Sequence, residues 1–176
     1  QVAVTTLQEV TATAEGAICI GEQNGYERLD PPVRHQRSVQ LLRRPDSPSE
    51  SYLLIEDRAA SAGSYRYELR FHFAPDCKPG RSNGRFVVHH PNGPQLAVAI
   101  WLVDHTRRGT PLSIGVEDGW VSREYARRVP APVVFAEAQG TGDHTFVTIL
   151  VPVDREAAID LERLARVDAE RDVLAA

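Results

Sequence analysis

Tyr65-Arg66-Tyr67-Glu68-Leu69-Arg70-Phe71-His72-Phe73 is the stretch whose reading decides the fold. Its odd positions are all large and apolar or aromatic, and its even positions are Arg, Glu, Arg and His. A period of two puts one set of side chains on each side of an extended chain, whereas a helix would scatter the same residues around its axis. The segment therefore reads as a half-buried β-strand, one face in a core and the other in water or a groove. On this reading Tyr65 and Tyr67 are core aromatics in register with Leu69, Phe71 and Phe73.

On either side the pattern repeats in shorter form. Residues 7–14, 17–22, 33–43 and 51–57 are apolar-rich runs, separated by Gly16, by Asn24-Gly25 and by the Pro/Asp/Ser-rich loop at 44–49. Asp57 closes the fourth run and reads as a turn former. Residues 75–83 read as a turn-rich loop. Strands follow at 84–89, 95–103, 112–116, 132–138 and 145–151, with Pro91-Asn92-Gly93-Pro94 as one tight connection. About ten strands with Gly/Pro/Asn turns between them predict an all-β fold, a two-sheet antiparallel β-sandwich over residues 1–153. The tail changes period. Ile159, Leu161, Leu164, Val167 and Val173 follow the helical repeat after Pro152 and a capping Asp154. This predicts a C-terminal amphipathic α-helix over 154–176, packed on the sandwich or offering a dimer or interdomain contact.

At 176 residues the chain is long enough to bury one core without disulfides or a metal. Its net charge of −4 lacks the clustered basic face that nucleic acid calls for, and no apolar run approaches the ~20 residues of a membrane-spanning helix. The first residues do not have the form of a signal peptide, and the chain holds no Met, as a processed or excised piece would. Cys19, in the run Ala17-Ile18-Cys19-Ile20, reads as a small buried hydrophobe, and Cys77 as a turn residue. Spacing leaves open whether the two pair, and neither has a CxxC partner for zinc.

Three segments carry a family resemblance. Asn24-Gly25-Tyr26-Glu27-Arg28-Leu29 followed by His35-Gln36-Arg37-Ser38-Val39 is similar to a stretch in the sandwich of heparinase II/III-like polysaccharide lyases. Tyr52 to Asp57, leading to Tyr67 to Pro75, resembles a second. Gly119-Trp120-Val121-Ser122-Arg123-Glu124-Tyr125-Ala126, with Pro130-Ala131-Pro132 and then Phe146 to Pro152, resembles the family's ending. Ala126 stands where many members have Gly, which implies a turn built differently. Gly63-Ser64-Tyr65 lacks the His often found before the long strand.

The resemblance implies the C-terminal sandwich of a lyase that cleaves uronic-acid polysaccharide by β-elimination. It implies a helical α/α-toroid domain as N-terminal partner, an acidic polysaccharide or oligosaccharide as substrate, and a periplasmic or secreted location ahead of a cytoplasmic one. In the family the toroid carries an Asn or His that neutralises the substrate carboxylate and a Tyr acid/base. An HxHxD-like stretch and an HN pair supply the catalytic His and, in some members, zinc ligands. None of these matches here: there is no HxH, and the adjacent His89 and His90 point to opposite faces of a strand. No catalytic residue, metal ligand or cofactor is carried over, and the expected role is one wall of a substrate canyon, inactive alone.

Elimination at a uronate needs a base for the C5 proton, stabilisation of the enolate and an acid for the leaving oxygen. His35, His72, Tyr26, Tyr67 and Tyr125 are the residues able to move a proton. His35 opens a strand and suits a surface or interdomain position equally. His72 faces away from the apolar side of its strand, toward solvent or a groove. Residues 119–128 put one Trp, one Tyr and three Arg in ten residues, a composition that stacks on sugar faces and forks onto carboxylates. The plainer reading anchors Trp120 in the core and leaves the arginines solvated, as Arg107 and Arg108 are expected to be. The predicted substrate contacts are thus His35, Arg37, His72, Trp120, Arg123 and Tyr125. A free-standing carbohydrate-binding module and a structural or oligomerisation domain, including a homodimer, are the competing roles.

Overall fold

A computed structural model describes residues 2–43, 51–82, 85–105 and 109–153. Eleven strands are present among them: β1 (Thr5–Ala12), β2 (Gly16–Gln23), β3 (Arg34–Leu42), β4 (Tyr52–Ala60), β5 (Ser64–His72), β6 (Lys78–Ser82), β7 (Arg85–His89), β8 (Gln95–Asp104), β9 (Leu112–Glu124), β10 (Arg127–Thr141) and β11 (His144–Val153). They form two antiparallel sheets. The larger has eight strands in the order β1-β2-β3-β4-β11-β8-β7-β6, and the smaller has three in the order β5-β10-β9. The all-β, two-sheet prediction is met, while the predicted helix lies outside the described residues.

The period-two stretch becomes β5. Leu69 is buried in the core between the sheets, with Phe86, Val98, Ile100, Val134, Ala136 and Phe146; Tyr67, Phe71 and Phe73 pack on that core from β5 and just beyond it. Arg66, Glu68, Arg70 and His72 are exposed on the other face. Three of these form a charged ladder, with Arg66 paired to Glu68 and Glu137, and Arg70 to Glu68 and Glu117. Tyr65 and Tyr67 are only partly buried, so the core reading holds for their rings' direction but not for full enclosure. A second cluster, including Tyr52, Ile149 and Val151, occupies the opposite face of the large sheet.

Three expectations are corrected. Residues 78–82, read as loop, form the edge strand β6. Pro79 and Gly80 look like a turn in sequence, but an edge strand tolerates a residue that cannot donate to the ladder. Asp57 is not at a turn: β4 runs on to Ala60 and holds Asp57 in mid-strand, opposite Arg37 and Phe146. Cys19 is exposed on β2, not buried, and both cysteines are free.

Residues 119–128, also read as loop, are mostly strand, because β9 and β10 continue outward as a long hairpin. Its turn places Ala126 at φ 61°, a left-handed conformation that glycine adopts freely and L-residues resist. Ala126→Gly is therefore expected to stabilise the chain by about 0.5–1 kcal/mol, after allowing for the freer unfolded state. Thermal unfolding should show a midpoint about 2 °C higher; a lower midpoint would count against strain at this turn.

Candidate functional site

The loop between β2 and β3 folds back on itself. The Tyr26 carbonyl accepts from the Leu29 and Val33 amides at 3.1 and 3.2 Å, which sets Tyr26, Leu29 and Val33 against the start of β3. These residues, the inner faces of β3 and β4, and the near side of β5 enclose a cavity of about 470 Å³. Its lining includes His35, Arg37, Asp57, Tyr65, Tyr67 and Phe146.

The polar heart of the cavity follows from strand register. Arg37 stands directly opposite Asp57, and His35 opposite Ala59, so both cations lie on the Asp57 face one cross-strand step apart. Arg37 Nε donates to Asp57 Oδ1 at 2.7 Å and Nη2 to Oδ2 at 3.0 Å, a forked pair. His35 Nε2 lies 2.9 Å from Oδ1. A carboxylate only accepts, so Nε2 carries the hydrogen and Nδ1 is left to accept from Gln23 Nε2 at 3.5 Å. The Tyr26 ring meets His35 edge-on at 6.3 Å. Burial pushes the Asp57 carboxyl up, but the hydrogen bonds and charges of His35 and Arg37 outweigh it and hold the carboxyl below its ordinary value.

This cluster is therefore a brace and not a base. Abstracting a sugar C5 proton needs a group whose pKa lies nearer neutrality and whose lone pairs are free. Asp57 offers neither, and both ring nitrogens of His35 are engaged. Tyr67 is different. Its hydroxyl is buried without a hydrogen-bond partner among the described residues. Burial first, then Tyr65 and Asp143, raise its pKa, so it holds its proton and remains a donor. Tyr65 donates to the Pro31 carbonyl. Among the described residues no group of three or more His, Cys, Asp or Glu side chains is placed to hold a metal ion.

The predicted contacts fall in three places. His35 and Arg37 join in the cavity. His72 is exposed on the outer face of β5, opposite Val133. Trp120, Arg123 and Tyr125 lie on the β9–β10 hairpin, none of them in the cavity lining. Trp120 is 49% exposed and is not a core anchor; the Arg128 guanidinium lies 4.2 Å from its ring centroid. That geometry is a cation–π contact. Tyr125 is fully exposed, and Arg127 pairs with Glu124 at 3.3 Å.

Two residues escaped the sequence reading. Asp57 is the acceptor of the brace, and the signal for it was a carboxylate continuing the alternation Leu53, Ile55, Ala59. His144 is fully buried at the start of β11. Its Nδ1 donates to the Gly142 carbonyl at 2.9 Å, Nε2 lies 3.1 Å from Thr110 Oγ1, and its ring packs 5.3 Å from Tyr67. Nothing in its sequence neighbourhood announces it.

Comparison with known proteins identifies the class. Residues 1–159 match the family described as heparinase II/III-like, C-terminal, and the chain belongs to that family. No curated protein matches. Among solved structures, the heparan sulfate lyase HepC from Pedobacter heparinus is similar, with 20% identity and a TM-score of 0.69 over 88% of this chain and 22% of that one. A heparinase III shares 15% identity at a TM-score of 0.66, over 86% of this chain and 21% of that one. Another heparinase III has 10% identity at the same TM-score, over 85% and 21%. At these identities the likeness is one of fold, and the chain spans about a fifth of each of those structures.

Proposed function

We propose that the chain is the sandwich portion of a polysaccharide lyase that cleaves a uronic-acid polysaccharide by β-elimination. It forms one wall of the substrate canyon beside a helical toroid domain, and alone it turns nothing over. The observation that carries this reading is the family match across residues 1–159. The cavity chemistry supports its second half, since Asp57 is fully hydrogen-bonded and held ionised, and Tyr67 keeps its proton. The chain should release no unsaturated uronate product, read by ultraviolet absorbance, from heparan sulfate, alginate or hyaluronan. Steady product formation would refute the inactive-wall assignment.

A second reading, a carbohydrate-binding module, is favoured by one observation: Trp120 stands half exposed beside Arg128 and Arg123 on a projecting hairpin. Isothermal titration with acidic oligosaccharides separates the two. The wall reading expects weak binding or none. The module reading expects tight binding that Trp120→Ala and Arg123→Ala each weaken about tenfold, the scale of one stacked ring or one charged contact.

A further inference from the structure

The two sheets differ greatly in width. Eight strands at the usual spacing span about 34 Å, and three span about 10 Å. The small sheet stacks over β7, β8 and β11, where Phe86, Val98 and Phe146 meet Leu69, Val134 and Ala136. The β1–β3 half of the large sheet continues past the edge of β5.

Register shows which side of that half is apolar. The bulge between Leu7 and Glu9 lets Leu7 pair with Gly21 and Val10 with Cys19, so both apolar residues share one face. Cys19 in turn stands opposite Val39, Ala17 opposite Leu41, and Val39 opposite Ile55. This is the Asp57–Phe146 face, continuous with the inter-sheet core. Leu7 and Val10 are nonetheless 62% and 64% exposed. The reverse face of the same strands is a polar ladder. Gln8 donates to Glu22 at 2.7 Å, Gln36 to Gln8 at 2.8 Å, and Arg34 pairs with Glu22 at 2.9 Å. The half-sheet thus turns its water-fitted side outward and leaves the side that belongs in a core uncovered. Beside it runs β5, which among the described strands pairs only with β10, so one row of its backbone groups faces the uncovered area.

We propose that the β1–β3 half of the large sheet is covered by further β-strands of the same polypeptide, added to the small sheet along the free edge of β5. Added strands satisfy the β5 edge groups and extend the existing layer over Leu7, Val10, Cys19 and Val39 at the usual sheet separation of about 10 Å. The solved relatives hold about four-fifths of their length outside the matched part, so the fold type occurs with ample chain to supply such strands. Assigning the cover to the same polypeptide rests on the reading of this chain as one portion of a larger lyase.

Cys19 is a natural reporter, exposed on the face in question, and partly buried Cys77 provides an internal reference. Iodoacetamide labelling is followed by peptide mass mapping in the 176-residue chain and in the complete translation product of its gene. In the complete product Cys19 is expected to react about a hundredfold more slowly, as for a thiol that needs local opening, with Cys77 unchanged. Hydrogen exchange should show slowing at alternate β5 amides in the same comparison. Equal Cys19 labelling overturns the proposal. Protection of Cys19 without slowing in β5 overturns it too, since a helix or loop would then be the cover. So does protection of the 176-residue chain that rises with its concentration, which a second copy would produce. Lyase activity is read by product absorbance, so failure of the parent reading would be seen separately.

Discussion

Phe86→Ala is expected to lower stability by about 4 kcal/mol, the cost of deleting a fully enclosed aromatic ring. For a chain of this size the thermal midpoint should fall by about 8–16 °C. Phe86 is 1% exposed in the short strand β7, and the core it fills draws on β5, β8, β10 and β11 as well. Loss of the ring removes contacts to both sheets at once. It lines neither described cavity, so water has no ready path into the void. Phe146 gives the internal comparison. It belongs to the same core but also lines the 470 Å³ cavity. Phe146→Ala should therefore cost less than Phe86→Ala, because its void joins a space already open to solvent. Denaturant unfolding of the two variants side by side is the check, and a larger loss at Phe146 would contradict this account of the core.

The fold was legible because period-two patterning survives wherever a strand has one buried face. β5 shows it over its whole length, and the same logic located β2, β3, β8 and β11 to within a few residues. Legibility failed where burial and periodicity part company. β6 carries Pro79 and Gly80, which an edge tolerates and a sequence reader takes for a turn. The outer parts of β9 and β10 project beyond the core, so residues 117–131 lack the apolar alternation that marks the inner parts. Cys19 was misread for a related reason. Its run is apolar enough for a core, but β2 lies beyond the reach of a three-stranded sheet.

The site was legible only in part. His35 and Arg37 stand two apart, and that spacing alone puts them on one strand face. Their acceptor comes from the neighbouring strand 20 residues beyond Arg37, and only the β3–β4 register makes Asp57 their partner. Asp57 looked like a turn residue because the apolar run ended there, although the strand did not. His144 could not be found by pattern, since a histidine at a strand start gives no sign that Thr110 and Gly142 will close around it.

Asp57→Ala is expected to destabilise the chain by about 3 kcal/mol at neutral pH, lowering the midpoint by about 6–12 °C. The Asp57 side chain is 6% exposed and accepts from three nitrogens, so its removal leaves His35 and Arg37 without their shared anion. Arg37 is 47% exposed and can turn part of its charge to water, which places the cost near the lower end for a broken buried pair. Asp57→Asn separates charge from shape, since the amide fits but offers one acceptor oxygen where the fork needs two. The pH dependence has a definite sign. A carboxyl held below its ordinary value when folded contributes stability that is complete above the unfolded pKa of about 4 and is lost as pH falls through the folded value. The stability gap between the parent chain and Asp57→Asn should therefore be constant from about pH 6 to 8 and narrow below about pH 4. Urea unfolding across that range measures it. A gap that widened toward acid would mean that Asp57 is strained by its burial rather than held by Arg37 and His35.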